Sequence, residues 1–240
     1  MQDKRSRIQA IFFDAADTLF EVGGSVGQLY SQIALRRGIR IDPERLDQNF
    51  RAAFARLSKG LFSESYTEYL GADRRWWFGV VREVIGAYLP AEGLKSYFDE
   101  LYEFFRTRDA WLVYSDAGET LTELRARGFR LGVISNFDSR LRDILSNLGL
   151  GSFFEQAAIS WEVGASKPDS RIFRRALEAM QVSPDQALHV GDSLLGDVEG
   201  ARNAGLTPIL LDRRGIHSGY QGCPVIRDLS RLKDLEALRL

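Results

Sequence analysis

Short apolar runs that each end abruptly at a polar residue recur along this 240-residue chain. Runs this short and continuous are typical of strands buried in a parallel sheet. Between them, apolar residues fall at helical spacing, as with Leu121 and Leu124, or Ile172 and Ala176. Alternating strands and helices predict a doubly wound α/β core. The predicted strands are residues 8–13, 131–134, 157–159, 187–190 and 207–211.

Residues 22–108 carry a different pattern. Apolar residues recur there every three or four positions, which is the spacing of amphipathic helices, and no convincing strand interrupts them. Asp42 followed by Pro43 is a typical helix start, with an N-cap before a proline in the first turn. We therefore predict an α/β fold: a doubly wound, parallel-sheet, Rossmann-like core of residues 1–21 and 109–240, with an all-helical cap domain, residues 22–108, inserted into it.

Composition and charge narrow the classes of function. The 32 basic and 33 acidic side chains nearly cancel, which disfavours a nucleic-acid partner or an acidic membrane surface. Cys223 has no second cysteine to pair with, and with only His189 and His217 it makes no metal cluster, so a reducing compartment is expected. The charged residues 1–7 lead into an apolar run too short for a signal peptide or a membrane span, so we expect a cytoplasmic protein.

Polar side chains follow several of the predicted strands. Because ligands bind outside the carboxyl ends of the strands in such sheets, these side chains are expected to meet at one edge. Asp14 can present a carboxylate there, although an Asp in a loop is ordinary by itself. The hydroxyl of Ser135 and the backbone N–H of Asn136 can hold a phosphoryl oxygen, although Ser and Asn are also common turn residues.

Three charged residues further along the chain add to this group. Lys167 precedes Pro168, which suits the first position of a helix, so an ammonium at the loop-facing start could neutralise a phosphate. A solvated surface lysine is the more frequent meaning of such a residue alone. Asp192 and Asp197 flank a strand-to-helix turn and can converge on a hard cation such as Mg²⁺, which takes one or two carboxylates and keeps several waters. A helix N-cap would also explain Asp192.

The order and spacing of these motifs resemble the haloacid dehalogenase-like hydrolase superfamily over nearly the whole chain. The helical insertion resembles the C1 cap of its subfamily I. A closer likeness is to the haloacid dehalogenase-like hydrolase domain-containing protein 3 group, which shares an Asp-x-x-Asp-Thr-Leu motif and an Ile-Ser-Asn-Phe-Asp stretch. Here these are residues 14–19 and 134–138, and the pair Trp76–Trp77 supports the likeness.

The resemblance implies a site. Asp14 would be the covalent nucleophile, and Mg²⁺ would be held by Asp14, Asp192 and the backbone carbonyl of Ala16. Asp197 would orient waters or Lys167 from behind these ligands. The catalytic set would be Asp14, Lys167 and Ser135, and the phosphoryl group would be bound by Ser135, Asn136 and Lys167.

Ala16 departs from the family pattern. The superfamily's phosphatases carry a second Asp at this position, where it serves as general acid and base. Alanine cannot do so, and since general acid–base catalysis contributes roughly 10²–10⁴-fold, slow turnover of ordinary phosphate monoesters is expected. Asp17 stands at the next position, where glycine is usual, and is a candidate substitute whose side chain points in a different direction.

Three functions remain open. The first is a Mg²⁺-dependent phosphohydrolase acting on a small phosphorylated metabolite. The second is an L-2-haloacid dehalogenase, which also lacks the second Asp and would use Arg51 as a cap contact, but which needs neither Asp192 nor Asp197. The third is a phosphate-ligand binding or interaction protein that has lost turnover. A phosphonatase would need a cap lysine such as Lys59, around which no matching motif is found.

Overall fold

A computed structural model describes residues 8–59, 61 and 72–238 of the chain. By packing, the chain divides into two compact units: Met1–Glu21 together with Val113–Leu240, and Val22–Leu112. The first is called the α/β unit below and the second the helical unit. The domain limits expected from the sequence, at 21/22 and 108/109, stay a prediction, because packing alone does not test independent folding.

The α/β unit is built on a six-stranded sheet. Over the described residues the strands are β1 (Ala10–Phe13), β2 (Phe20–Val22), β3 (Trp111–Val113), β4 (Arg130–Ser135), β5 (Gln156–Ile159), β6 (Ala187–Gly191), β7 (Thr207–Leu211) and β8 (Val225–Ile226). The six-stranded sheet has the order β5-β4-β1-β6-β7-β8, and every pairing in it is parallel. The predicted fold class is therefore confirmed.

Burial explains the composition of these strands. All four residues of β1 are fully buried at the centre of the sheet, and β6 is buried along its whole length. A strand covered on both faces has no polar side to alternate with, so it consists of a continuous apolar run. Phe12 and Ile134 share a core cluster with Phe173 and Leu177 of a covering helix.

Five α-helices belong to the α/β unit as described: α5 (Ala117–Ala126), α6 (Leu141–Asn147), α7 (Ser160–Val163), α8 (Ser170–Met180) and α9 (Gly200–Asn203). A π-helical turn, Leu194–Glu199, runs directly into α9.

The expectation that Pro168 is the first residue of a helix is wrong. Helix α8 begins at Ser170, because the side chain of Asp169 accepts the N–H of Arg171 at 2.8 Å and caps the helix. The Lys167–Pro168 peptide before it is cis.

The helical unit contains α1 (Val26–Leu35), α2 (Pro43–Leu57), α3 (Asp73–Ile85) and α4 (Ala91–Phe104). The predicted start of α2 is confirmed, since Asp42 is its N-cap and accepts the N–H of Glu44 at 3.2 Å. Buried residues such as Tyr30, Leu46 and Tyr97 form a core within the helical unit. Within the described ranges, no helix is both long and apolar enough to cross a bilayer.

Candidate active site

The carboxyl edge of the central strands gathers the polar residues of the α/β unit. Asp14 follows β1 directly, and its N–H donates to the carbonyl of Val190 in the neighbouring β6 at 2.9 Å. Ser135 is the last residue of β4 on the other side of β1 and is buried. Asp192 follows β6. Parallel pairing thus places three strand ends side by side.

Lys167 lies between two carboxylates. Its ammonium donates to Asp14 Oδ1 and to Asp197 Oδ1, both at 2.6 Å. The side chain of Lys167 is only 4% exposed, and those of Asp14 and Asp197 are 12% and 2% exposed. This is therefore a buried ionic group and not the solvated lysine of the alternative interpretation, and its low-dielectric setting strengthens each electrostatic contact.

Asn136 fixes the backbone of Lys167 from the end of β4. Its Oδ1 accepts the N–H of Lys167 at 2.7 Å, and its Nδ2 donates to the carbonyl of Lys167 at 3.0 Å. The sequence motif predicts a role only for the backbone N–H of Asn136. A reciprocal amide contact between residues this far apart in sequence leaves no local pattern by which it could be found.

Asp197 has both carboxylate oxygens engaged. Oδ1 lies 2.8 Å from Nε2 of His189 in addition to its contact with Lys167, and Oδ2 accepts the N–H of Ser193 at 2.9 Å. His189 is fully buried on β6, with its ring edge-on to Phe173. His189 is not among the site residues that the sequence pattern predicts, because a lone histidine in an apolar strand is usually a core residue.

The close approach of Asp197 to β6 depends on Gly191. A Cβ atom built on Gly191 would overlap the carboxylate of Asp197. Ser193, not Asp192, caps the turn that follows, with its Oγ accepting the N–H of Gly196 at 3.0 Å. The carboxylate of Asp192 is therefore not used as the cap of this turn.

Three carboxylates crowd this edge. Oxygen atoms of Asp14, Asp192 and Asp197 all lie within 4.8 Å of one another. Burial, together with the negative charges of Asp14, Asp197 and Asp17, raises the pKa of Asp192 from 3.8 to about 7. Burial also raises the pKa of Asp14, since it outweighs the lowering effect of Lys167.

Lys167 and Asp197 each stabilise the charged form of the other. Burial acts to lower the pKa of Lys167, but the carboxylates of Asp14 and Asp197 hold it above its ordinary value. Burial likewise acts to raise the pKa of Asp197, but Lys167 and the hydrogen bond from His189 hold it well below its usual range. Asp197 is thus an anion and Lys167 a cation at neutral pH.

The donor set fits a hard divalent cation. One ammonium faces three carboxylates, so the edge has an excess of negative charge, and oxygen atoms are the ligands that Mg²⁺ takes in proteins. Both oxygens of Asp197 have partners within the chain, whereas Lys167 holds only Oδ1 of Asp14, so Asp14 and Asp192 are the carboxylates better placed to bind a metal directly.

The remaining predicted residues lie in different places. Asp17 adopts a left-handed backbone conformation, with φ of 60°, and its half-exposed carboxylate lies 3.7 Å from Nη2 of Arg214. Burial and the charge of Glu21 raise the pKa of Asp17, and Arg214 opposes the change. Ala16 is half-buried in the same turn, and Arg51 is exposed on α2 of the helical unit.

The chain is similar to proteins of one family along most of its length. The family model for haloacid dehalogenase-like hydrolase matches residues 8–205. The human protein named haloacid dehalogenase-like hydrolase domain-containing protein 3 is 35% identical over 227 residues, which cover 93% of this chain and 88% of that protein.

Two solved structures are also similar to this chain over nearly its whole length. A haloacid dehalogenase-like phosphatase from Thermococcus onnurineus is 26% identical, with a TM-score of 0.66 over 97% of this chain and 100% of that one. A 2-haloacid dehalogenase from Pseudomonas syringae is also 26% identical, with a TM-score of 0.64 over 95% and 97%. With the predicted family thus confirmed by matches that span nearly the whole chain, the protein belongs to the haloacid dehalogenase-like hydrolase family.

Proposed function

We propose that this hydrolase is a Mg²⁺-dependent phosphohydrolase that acts on a small phosphorylated metabolite through an aspartyl-phosphate at Asp14. The observation that carries the proposal is the group of three carboxylates, Asp14, Asp192 and Asp197, with oxygens within 4.8 Å of one another. A reaction in which Asp14 attacks carbon and releases a halide needs no metal, and so gives no reason to keep Asp192 beside the nucleophile.

Asp14, Asp192 and the backbone carbonyl of Ala16 would hold the metal. Bound there, Mg²⁺ would offset negative charge on the transferring phosphoryl group. Asp197 would serve the site indirectly, since it holds the ammonium of Lys167 at 2.6 Å and is itself held by His189 and Ser193.

In the proposed reaction, each side chain of the site has a separate role. A carboxylate oxygen of Asp14 attacks phosphorus in line as the bond from phosphorus to the leaving oxygen breaks, which forms an aspartyl-phosphate. The ammonium of Lys167 offsets the developing charge, and Ser135 with the N–H of Asn136 orients the phosphoryl oxygens. Water then cleaves the acyl phosphate, releasing phosphate and restoring Asp14.

Proton transfer is the weak step of this scheme. The methyl group of Ala16 cannot protonate a leaving oxygen, and Asp17, the proposed substitute, has its carboxylate near Arg214. Leaving groups that depart as stable anions, as in acyl phosphates, need no such proton. We therefore propose that these substrates are hydrolysed faster than alkyl phosphate monoesters.

Ala16 also favours a second candidate, a protein that binds a phosphate ligand without turnover. The relatives do not decide among the functions, because one solved structure at 26% identity is described as a phosphatase and another at 26% as a dehalogenase. The cytoplasmic location and the cap contact of Arg51 stay predictions.

A phosphate-release screen with small phosphoesters and acyl phosphates tests the proposal. Wild type with Mg²⁺ is expected to release phosphate, and Asp14→Asn to lose at least about 10³-fold in rate, because an amide is a poor nucleophile. Asp234→Asn is the matched control and should keep wild-type activity, because the carboxylate of Asp234 is exposed and pairs with Arg231 at 3.2 Å, at the end of the short helix Leu229–Asp234 and not at the strand ends that carry Asp14 and Asp192.

Other outcomes would contradict the proposal or support a competing function. Activity that survives Asp14→Asn would sink the nucleophile assignment. Chloride released from 2-chloropropionate in the presence of EDTA would support the dehalogenase. Binding of Mg²⁺ and inorganic phosphate by calorimetry, without turnover of any substrate, would support the binding protein.

A further inference from the structure

The turn of residues 15–20, which leads away from the nucleophile, is tightly wound. The carbonyl of Ala15 accepts the N–H of Leu19 at 2.8 Å and that of Thr18 at 3.3 Å, and the N–H of Asp17 donates to the carbonyl of Phe20 at 2.8 Å. This turn contains Ala16, whose carbonyl is the proposed metal ligand. The backbone of the turn therefore decides where one ligand of the site lies.

Arg213 contacts this turn from a distant part of the chain. It lies two residues beyond the end of β7, which is separated from β1 by β6. Its Nη2 donates to the carbonyl of Thr18 at 2.9 Å. The guanidinium is mostly buried, with 16% of the side chain exposed.

Arg213 is itself held in a single orientation. Its Nη1 and Nη2 donate to the two carboxylate oxygens of Asp116 at 2.9 and 3.0 Å, and its Cζ lies 3.8 Å from the centre of the Tyr114 ring. Asp116 also accepts the N–H of Leu229 at 2.7 Å. Bidentate and stacked contacts of this kind use the planar shape of a guanidinium and not its charge alone.

Tyr114 extends the same support to the rest of the turn. Its N–H donates to the carbonyl of Leu19 at 3.1 Å, and its hydroxyl donates to Oε2 of Glu21 at 3.0 Å. Arg213 thus holds the turn at Thr18, and Tyr114 holds it at Leu19. Tyr114 also holds Glu21, the residue that follows the turn, and its ring lies against the guanidinium of Arg213.

We propose that Arg213 is a positioning residue, which holds the turn of residues 15–20 so that the carbonyl of Ala16 keeps its place as a metal ligand. The inference rests on the proposed function, because it assigns the turn a part in metal binding. Displacements on the order of 1 Å in an active site can cost roughly 10²-fold in rate, so a fixed turn matters to the reaction.

The test is Arg213→Lys in the full chain. Lysine keeps the positive charge and the apolar stem, but its single nitrogen cannot reach both oxygens of Asp116 and the carbonyl of Thr18. The matched control is Arg125→Lys, since Arg125 also donates to a backbone carbonyl, that of Ser152 at 3.0 Å, and also lies over a ring, that of Phe153.

Amide hydrogen exchange reports on the turn without any substrate or metal. In Arg213→Lys the amides of Thr18 and Leu19 are expected to exchange about 10-fold faster, while those of β4 stay as in wild type. Calorimetry is then expected to show Mg²⁺ binding weakened by roughly 10-fold, and kinetics a kcat lowered by about 10–100-fold with KM little changed. Arg125→Lys should change none of these.

Asp116→Asn is a second variant, used if Arg213→Lys does not fold, and the same changes are expected from it in smaller degree. Unchanged exchange in the turn would overturn the inference, and so would faster exchange with wild-type Mg²⁺ affinity and kcat, because Arg213 would then be purely structural. If wild type releases no phosphate, the proposed function fails, while the exchange and Mg²⁺ measurements still decide the part played by Arg213.

Discussion

At the residue scale, alanine at position 16 is expected to preserve metal binding by the backbone carbonyl and to remove proton transfer by the side chain. A backbone carbonyl survives substitution by alanine, whereas a general acid does not. We therefore expect Ala16→Asp to raise kcat/KM for alkyl phosphate monoesters by roughly 10²-fold, and to change kcat/KM for acyl phosphates little, because kcat/KM reports on formation of the aspartyl-phosphate, in which only the poor leaving groups need a proton. Phosphate release across substrates of graded leaving-group pKa measures this.

Asp17→Asn is the companion variant for that experiment. If Asp17 already supplies the proton, Ala16→Asp gives no gain and Asp17→Asn lowers the rate for alkyl esters. If neither variant changes the rate, proton transfer does not limit turnover, and the importance given to Ala16 is wrong.

Single residues also show what the sequence can and cannot predict about the site. Asp14, Lys167, Asp192 and Asp197 could be singled out as candidates because each follows a predicted strand or precedes a helix at the same edge. The hydrogen bond from His189 to Asp197 could not be predicted, because it depends on the turn of residues 194–199 folding back onto β6. The roles of these residues in catalysis stay predictions.

At the scale of elements, the junction of β6 with the following turn has no spare volume. In Gly191→Ala the new methyl group would occupy the place of the Asp197 carboxylate, so Asp197 must move away from Lys167. We expect the free energy of unfolding to fall by about 1–3 kcal/mol, as for other overpacked interiors, and kcat to fall by at least about 10-fold. Chemical denaturation and phosphate release measure the two effects.

Gly118→Ala in α5 is the matched control. Nothing lies within 4 Å of a Cβ built there, so alanine should raise the free energy of unfolding slightly, by about 0.5–1 kcal/mol, through its better helix propensity. Equal behaviour of the two variants would contradict the packing argument for Gly191.

Elements differ in how well the sequence predicts them. Each of the five apolar runs overlaps a strand of the sheet, because buried strands consist largely of apolar residues, and β1 and β6 are buried along their whole length. Strands β2, β3 and β8 were not predicted, since two or three residues are too few to show a period. Pro168 was misplaced because a capping side chain at Asp169 fixes the start of α8, and the proline pattern alone does not reveal this.

At the scale of the whole molecule, the crowded carboxylates predict how stability depends on pH. The pKa of Asp192 is about 7 in the folded chain against 3.8 as its ordinary value, so the folded state binds this proton more tightly than the unfolded state does. Its contribution to stability is full below about pH 4 and is lost as pH rises through 7. In EDTA, Tm is therefore expected to fall between pH 5 and pH 8, by about 2–6 °C.

Mg²⁺ should oppose this loss, because it binds the ionised carboxylates that repel one another. Stabilisation by Mg²⁺ is accordingly expected to be larger at pH 8 than at pH 5, and Asp192→Asn should remove both the fall in EDTA and most of the rescue. Scanning fluorimetry of wild type and Asp192→Asn, with EDTA or Mg²⁺ at each pH, measures these Tm differences. A Tm in EDTA that stays level or rises over this range would contradict the argument.

The central position of β1 has a consequence for the nascent chain. Both neighbours of β1, which are β4 and β6, lie beyond the helical unit in sequence, so the nucleophile is synthesised long before the strands that bury it. At ordinary translation rates, about 9–35 s pass between Asp14 and the end of β6. The helical unit, with its own core, emerges complete in that interval. Closure of the sheet around an apolar strand that has waited unpaired is therefore expected to be the late step in the biogenesis of this enzyme.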